Sequence, residues 1–173
     1  MKRNFASLDP QEALHVAIFI EERNAELYHR LAEMFVEFRD SESLEIAGVF
    51  CDMAAEEKEH SSKLQSRYME QYGSCRCALT EEDLVELIEV PRLEKVDLFA
   101  APELSKVKAR DRALQVALDA EDSAQRYYAT LVEKTAPGPL RQLYRELNEM
   151  EGDHVAAIEQ KMSTHPAKDA RGR

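Results

Sequence analysis

Apolar residues recur at alternating steps of three and four over four long stretches of this chain, the spacing of helices that each bury one face. The first stretch predicts a helix over about 10–38 whose inward positions are Leu14, Ile18, Glu21, Ala25, Tyr28, Ala32 and Phe35. Asp9 as N-cap, Pro10 at the first helical position and Glu12 at the third announce its start. The second, about 42–72, turns Ile46, Phe50, Met53, Glu57, His60 and Leu64 inward, after the capping residues Asp40 and Ser41 and before Gly73, a natural helix stop. The third, about 105–135, uses Leu114, Ala117 with Leu118, Glu121, Ala124, Tyr128 and Leu131, and Pro137-Gly138-Pro139 then forces a turn. The fourth, about 139–162, uses Leu143, Leu147, Glu151, His154 and Ile158. In every stretch a charged or ionisable group interrupts an otherwise apolar face near its middle.

The pattern breaks between 73 and 104. Thr80 with Asp83 has the form of a capping box, Leu84, Leu87 and Ile88 make a short amphipathic turn, and Pro91 and Pro102 follow. A connection of that length is longer than neighbouring antiparallel helices need and can carry the chain along a whole bundle. The expectation is an all-α antiparallel four-helix bundle, with a long crossover carrying a short helix between helices 2 and 3. A polar tail, 163–173, is expected to be mobile.

The two halves repeat. Ala13 to Glu33 laid over Ala113 to Glu133 matches Ala13, Leu14, Val16, Ala17, Glu21, Tyr28, Leu31 and Glu33 with identical residues, and Ile18 faces Leu118. Helices 2 and 4 align through Glu57 with Glu151, His60 with His154 and Leu64 with Ile158. Two hairpins joined by a crossover give a bundle with a pseudo-twofold axis.

The composition fits that picture and narrows the function. With 173 residues, five Gly, six Pro and no Trp, the chain suits one domain built almost wholly of helix. The formal charge of −11 argues against nucleic acid as a partner, which would need Lys and Arg gathered on one face. No apolar run approaches a membrane span, and Cys51, Cys75 and Cys77 read as free thiols of a reducing compartment, so a cytoplasmic protein with no membrane partner is expected.

The interruptions themselves carry the chemistry. Glu57-Lys58-Glu59-His60 and Glu151-Gly152-Asp153-His154 each place a glutamate and a histidine one helical turn apart on the same face. With Glu21 and Glu121 they make four carboxylates and two imidazoles directed at one core. Such groups cannot be buried bare, because unpaired charge costs several kcal/mol and clustered carboxylates raise one another's pKa. Two divalent cations, +4 in all, would offset four carboxylates at −4. Oxygen donors with one nitrogen per ion suit Fe or Mn, and Zn can bind the same set. A metal pair of this kind supports two-electron chemistry on O₂ or H₂O₂.

These six positions, over about residues 10–162, resemble the ferritin-like di-iron carboxylate proteins and, within them, the rubrerythrin type. Tyr28 and Tyr128, seven residues after Glu21 and Glu121, match that group's spacing as well. The resemblance implies a single ferritin-like domain over 1–173 and two Fe ions, with Glu57 and Glu151 as bridges, Glu21 and Glu121 as terminal ligands, and His60 and His154 as one ligand on each metal. It implies a peroxidase that reduces H₂O₂, or O₂, to water, and a homodimer is expected. The chain departs from the group at Ala124, where rubrerythrins commonly carry another glutamate, and it lacks the two Cys-x-x-Cys pairs of a rubredoxin domain. Electrons would come from an external donor such as a rubredoxin-like protein. The alternatives are a ferroxidase that handles iron, disfavoured by a tail too short for a cage helix, and an interaction protein whose metals are structural. Tyr28 and Tyr128 read either as core aromatics or as groups that hold the ligand carboxylates. Glu22, Glu26, Glu56 and Glu59, beside the inward faces, read as surface charges, although a shift of one residue in register would exchange Glu21 with Glu22 or Glu57 with Glu56. His15, His29 and His165 read as surface residues too, and the cysteines as structural or incidental, the alternative being a redox or metal contact by Cys75 and Cys77 in the crossover.

Overall fold

The structure, a computed structural model, describes residues 8–74, 77–80, 83–84 and 106–164. Four helices run in order: α1 (Pro10–Glu37), α2 (Ser41–Tyr72), α3 (Lys106–Lys134) and α4 (Pro139–Thr164). Among the described residues there is no strand.

Local chemistry sets the helix ends. The Asp9 carboxylate accepts from the Glu12 amide at 2.8 Å while the Glu12 carboxylate accepts from the Asp9 amide at 3.1 Å, the reciprocal box expected. Asp40 caps α2 by accepting from the Ser43 amide at 2.9 Å. Gly73 closes α2 with a positive φ of 59°, a backbone angle that glycine adopts without a Cβ clash. Only Phe38 to Asp40 separate α1 from α2, so the two must turn back on each other, and α3 and α4 do the same across Thr135–Gly138. The helices therefore pack in pairs, α1 with α2 and α3 with α4, and the pairs meet chiefly through α1 against α3. Tyr127 of α3 spans that junction by donating to the Ala13 carbonyl at 2.9 Å.

The inward faces are those the periodicity predicts, with one adjustment. Leu114, Ala117, Ala124, Tyr128 and Leu131 of α3 are buried, but Leu118 is half-exposed although its repeat partner Ile18 is buried. The apolar core is split in two. One cluster gathers Leu14, Ile18, Leu64, Tyr127, Tyr128, Leu131, Tyr144 and Leu147; the other gathers Leu27, Tyr28, Leu31, Phe35, Phe50, Met53, Leu114 and Ile158. Each fully buried Leu contributes about 1.5–3 kcal/mol relative to exposure. What divides the two clusters is the belt of ionisable groups.

Thr80 and Asp83 exchange the capping-box bonds, Thr80 N to Asp83 Oδ2 at 2.9 Å and Asp83 N to Thr80 Oγ at 3.2 Å, and Leu79 and Leu84 are buried against the core. The rest of the expected crossover helix, Leu87 and Ile88 included, lies outside the described residues, as do Cys75, His165 and most of the expected tail. Of that tail, 163–164 belong to α4. No described helix is long and apolar enough to cross a membrane.

Candidate metal centre

Glu21, Glu57, His60, Glu121, Glu151 and His154 converge between the two apolar clusters, every one of them buried and the four glutamates wholly so. Spacing alone leaves the register open by one residue, and burial resolves it: Glu22 and Glu56 are exposed, while Glu21 and Glu57 are buried. The six residues fall into two groups, Glu21, Glu57, His60 and Glu151, and Glu57, Glu121, Glu151 and His154. Within each group the donor atoms lie within 4.8 Å of one another, close enough to hold a metal ion. Glu57 and Glu151 belong to both groups.

Short contacts link these residues. His60 Nδ1 lies 3.1 Å from Glu21 Oε2 and 3.4 Å from Glu57 Oε2; His154 Nδ1 lies 3.3 Å from Glu57 Oε1, 3.4 Å from Glu121 Oε1 and 3.8 Å from Glu151 Oε2. The two rings stack with centroids 6.3 Å apart. Even so, both oxygens of Glu57 and of Glu151, Oε2 of Glu121, Nε2 of His60 and Nδ1 of His154 are buried without a hydrogen-bond partner. Buried polar atoms are nearly always paired in folded proteins. Orphaned acceptor oxygens gathered around His154 Nδ1, with His60 Nδ1 turned to the same carboxylate cluster, fit a cation.

The electrostatics agree. Burial pushes the carboxyls of Glu21 and Glu151 well above the usual range, and for Glu151 the charge of Glu121 adds to it. Burial pushes Glu57 the same way, but the two imidazoles beside it outweigh that effect and lower it to about 2. His60, pulled down by burial, is nonetheless raised to about 9 by Glu21 and Glu57. His154 is likewise raised, against burial, by Glu121, Glu151 and Glu57. Without a metal, the cluster holds protons where cations would otherwise supply the positive charge.

Tyr28 and Tyr128 hold ligand-type carboxylates, and they do so crosswise. Tyr28 Oη of α1 donates to Glu121 of α3, and Tyr128 Oη of α3 donates to Glu21 of α1. Position 28 beside 121 and 128 beside 21 means that α1 and α3 run antiparallel about the repeat axis. Both phenols are fully buried, and burial together with the carboxylate charges pushes their pKa up, so both remain donors.

Two further residues stand out that the helical pattern does not single out. Glu56 is not simply a surface charge: its side chain is 52% exposed, yet Oε2 accepts from His154 Nε2 at 2.7 Å across the α2–α4 junction. Asn24 is wholly buried one turn after Glu21, with neither amide atom partnered, where the other half of the repeat has Ala124. A polar residue beside an inward position is the available signal for Asn24; nothing within α2 alone marks Glu56. Of the remaining histidines, His29 is exposed as expected, but His15 is half-buried with its ring 6.0 Å from that of Tyr68. Cys51 and Cys77 are free thiols, exposed and half-buried.

Compared with protein-family models, curated proteins and solved structures, the chain matches none.

Proposed function

We propose that this chain is a ferritin-like di-iron oxidoreductase of rubrerythrin type, reducing hydrogen peroxide, or O₂, to water with electrons from an external donor. The observation that carries the reading is the overlap of two ligand-type groups through Glu57 and Glu151. Two carboxylates common to both groups suit a metal pair, whereas separate mononuclear sites would not share them. When bound, two iron ions supply the two electrons that the reduction consumes.

The chain's own part is positioning, charge balance and exclusion of water. Glu57 and Glu151, common to both groups, would hold both ions, and Glu21 and Glu121 would each hold one. The Tyr128 and Tyr28 hydroxyls clamp those last two carboxylates from the opposite hairpin, so their orientation is tied to the docking of the two halves. His60 and His154 offer one nitrogen each from the turn that follows the shared glutamates. Apolar clusters on both sides keep bulk water from the pair and strengthen every charge interaction within it.

The test is rapid mixing of the protein loaded anaerobically with two equivalents of Fe²⁺. Oxidation by H₂O₂ much faster than by air-saturated buffer is expected. Equal or slower oxidation by H₂O₂ overturns the peroxidase reading and points to a ferroxidase.

A further inference from the structure

His60 and His154 occupy equivalent positions of the repeat, and both turn Nδ1 toward the carboxylates. They differ in what holds the far side of the ring. His154 Nε2 lies 2.7 Å from Glu56 Oε2, while His60 Nε2 is buried without a partner. The cause is visible in the alignment of α2 with α4: Glu57 over Glu151 sets Glu56 over Met150, and a thioether is only a weak acceptor. By the repeat, the half-buried Met150 takes the position equivalent to that of Glu56.

An imidazole whose far N–H is held by a carboxylate has a fixed tautomer and ring angle and is a stronger donor through its other nitrogen. We propose that Glu56 is a positioning residue that makes the two metal positions unequal, the one served by His154 taking its cation first and more tightly. This inference rests on the two-metal reading above. Loading is then ordered: one ion enters the Glu121, His154 side, and the second completes the pair beside Glu21 and His60. The two shared glutamates are already engaged when the second ion arrives, which widens the difference.

The experiment titrates Co²⁺ anaerobically into metal-free protein, followed by calorimetry and by the visible absorption of the bound ion. Two steps, separated by roughly 10–100-fold in affinity, are expected for a site with and a site without such support. Glu56→Gln should weaken the tighter step by that factor and shift its absorption band, leaving the weaker step and the helical circular dichroism in place. Glu56→Asp should restore part of the loss. Met150→Glu, which offers His60 the missing acceptor, should tighten the weaker step. Glu56→Gln and Met150→Glu proteins that each bind two Co²⁺ as the unmutated protein does would overturn the inference and leave the two-metal reading standing. Failure of Co²⁺ to bind at all would overturn both.

Discussion

The crossed tyrosine clamps invite a comparison of two chemically identical deletions. Tyr28→Phe and Tyr128→Phe each remove one buried hydroxyl and keep the ring, so the stacking of position 28 on Phe50, at 5.9 Å between centroids, survives. The groups left behind are not equivalent. Without the Tyr28 hydroxyl, Glu121 keeps His154 Nδ1 at 3.4 Å and the neighbouring Glu151 carboxyl, and its Oε2 has no hydrogen-bond partner from the outset. Without the Tyr128 hydroxyl, Glu21 still has His60 Nδ1 at 3.1 Å. A hydrogen bond to a charged group is worth about 1.5–3 kcal/mol, and the raised pKa of Glu21 puts the Tyr128 bond at the lower end. The expectation for metal-free protein is a loss near the top of that range, about 3 kcal/mol, for Tyr28→Phe, and near the bottom, about 1.5 kcal/mol, for Tyr128→Phe. For a chain of this length these correspond to falls in Tm of roughly 6–12 °C and 3–6 °C. Urea and thermal denaturation after exhaustive chelation measure both. The reasoning is refuted if Tyr28→Phe lies within about 0.5 kcal/mol of the unmutated protein, the scale of a neutral surface change, or if Tyr128→Phe proves the more costly.

The two residues common to both donor groups make a second prediction on the two-metal reading. Glu57→Ala or Glu151→Ala, touching both groups, should reduce bound iron from about two ions per chain to nearly none, whereas Glu21→Ala or Glu121→Ala should leave about one; elemental analysis of protein purified without chelators decides, and equal losses from all four would contradict the sharing. A third concerns pH. His60, raised to about 9 by Glu21 and Glu57 against the pull of burial, and His154, raised likewise, are protonated at neutral pH in the metal-free protein, and an incoming cation must displace those protons. Affinity should therefore fall as pH drops, by up to about tenfold per pH unit for each proton displaced, with matching proton release in weakly buffered solution; an affinity that stays flat from about pH 8 to about pH 6 would exclude this coupling.

Periodicity makes most of the fold and the six central residues legible in the sequence. A glutamate or histidine at an inward helical position is conspicuous because its neighbours at three and four residues are apolar, as Glu21 is between Ile18 and Ala25. What spacing within one helix cannot report is reach between helices. The crossed bonds of Tyr28 and Tyr128 depend on α1 and α3 lying antiparallel, a tertiary fact, and the sequence leaves both residues undecided between core and clamp. Glu56 sits one position before Glu57, at the edge of the buried face, and only the approach of α4 gives its carboxylate a partner. Asn24 is illegible for a different reason. The repeat sets it opposite Ala124, but one asparagine on a helix flank is compatible with solvent as well as with a core, and only the packing of the bundle distinguishes the two.

The division of the bundle into two tight hairpins has a consequence for the order in which the molecule is made. Each hairpin closes over a loop of a few residues, so its contacts are local and form early, while the halves are tied by the long stretch between α2 and α3 and must find each other by slower closure. Neither hairpin alone contains a complete donor group: Glu21, Glu57 and His60 wait for Glu151 from the other half, and Glu121, Glu151 and His154 wait for Glu57. On the two-metal reading, uptake of metal is then a clock for the last event of folding, because a chain whose halves have not yet met holds only part of each donor set.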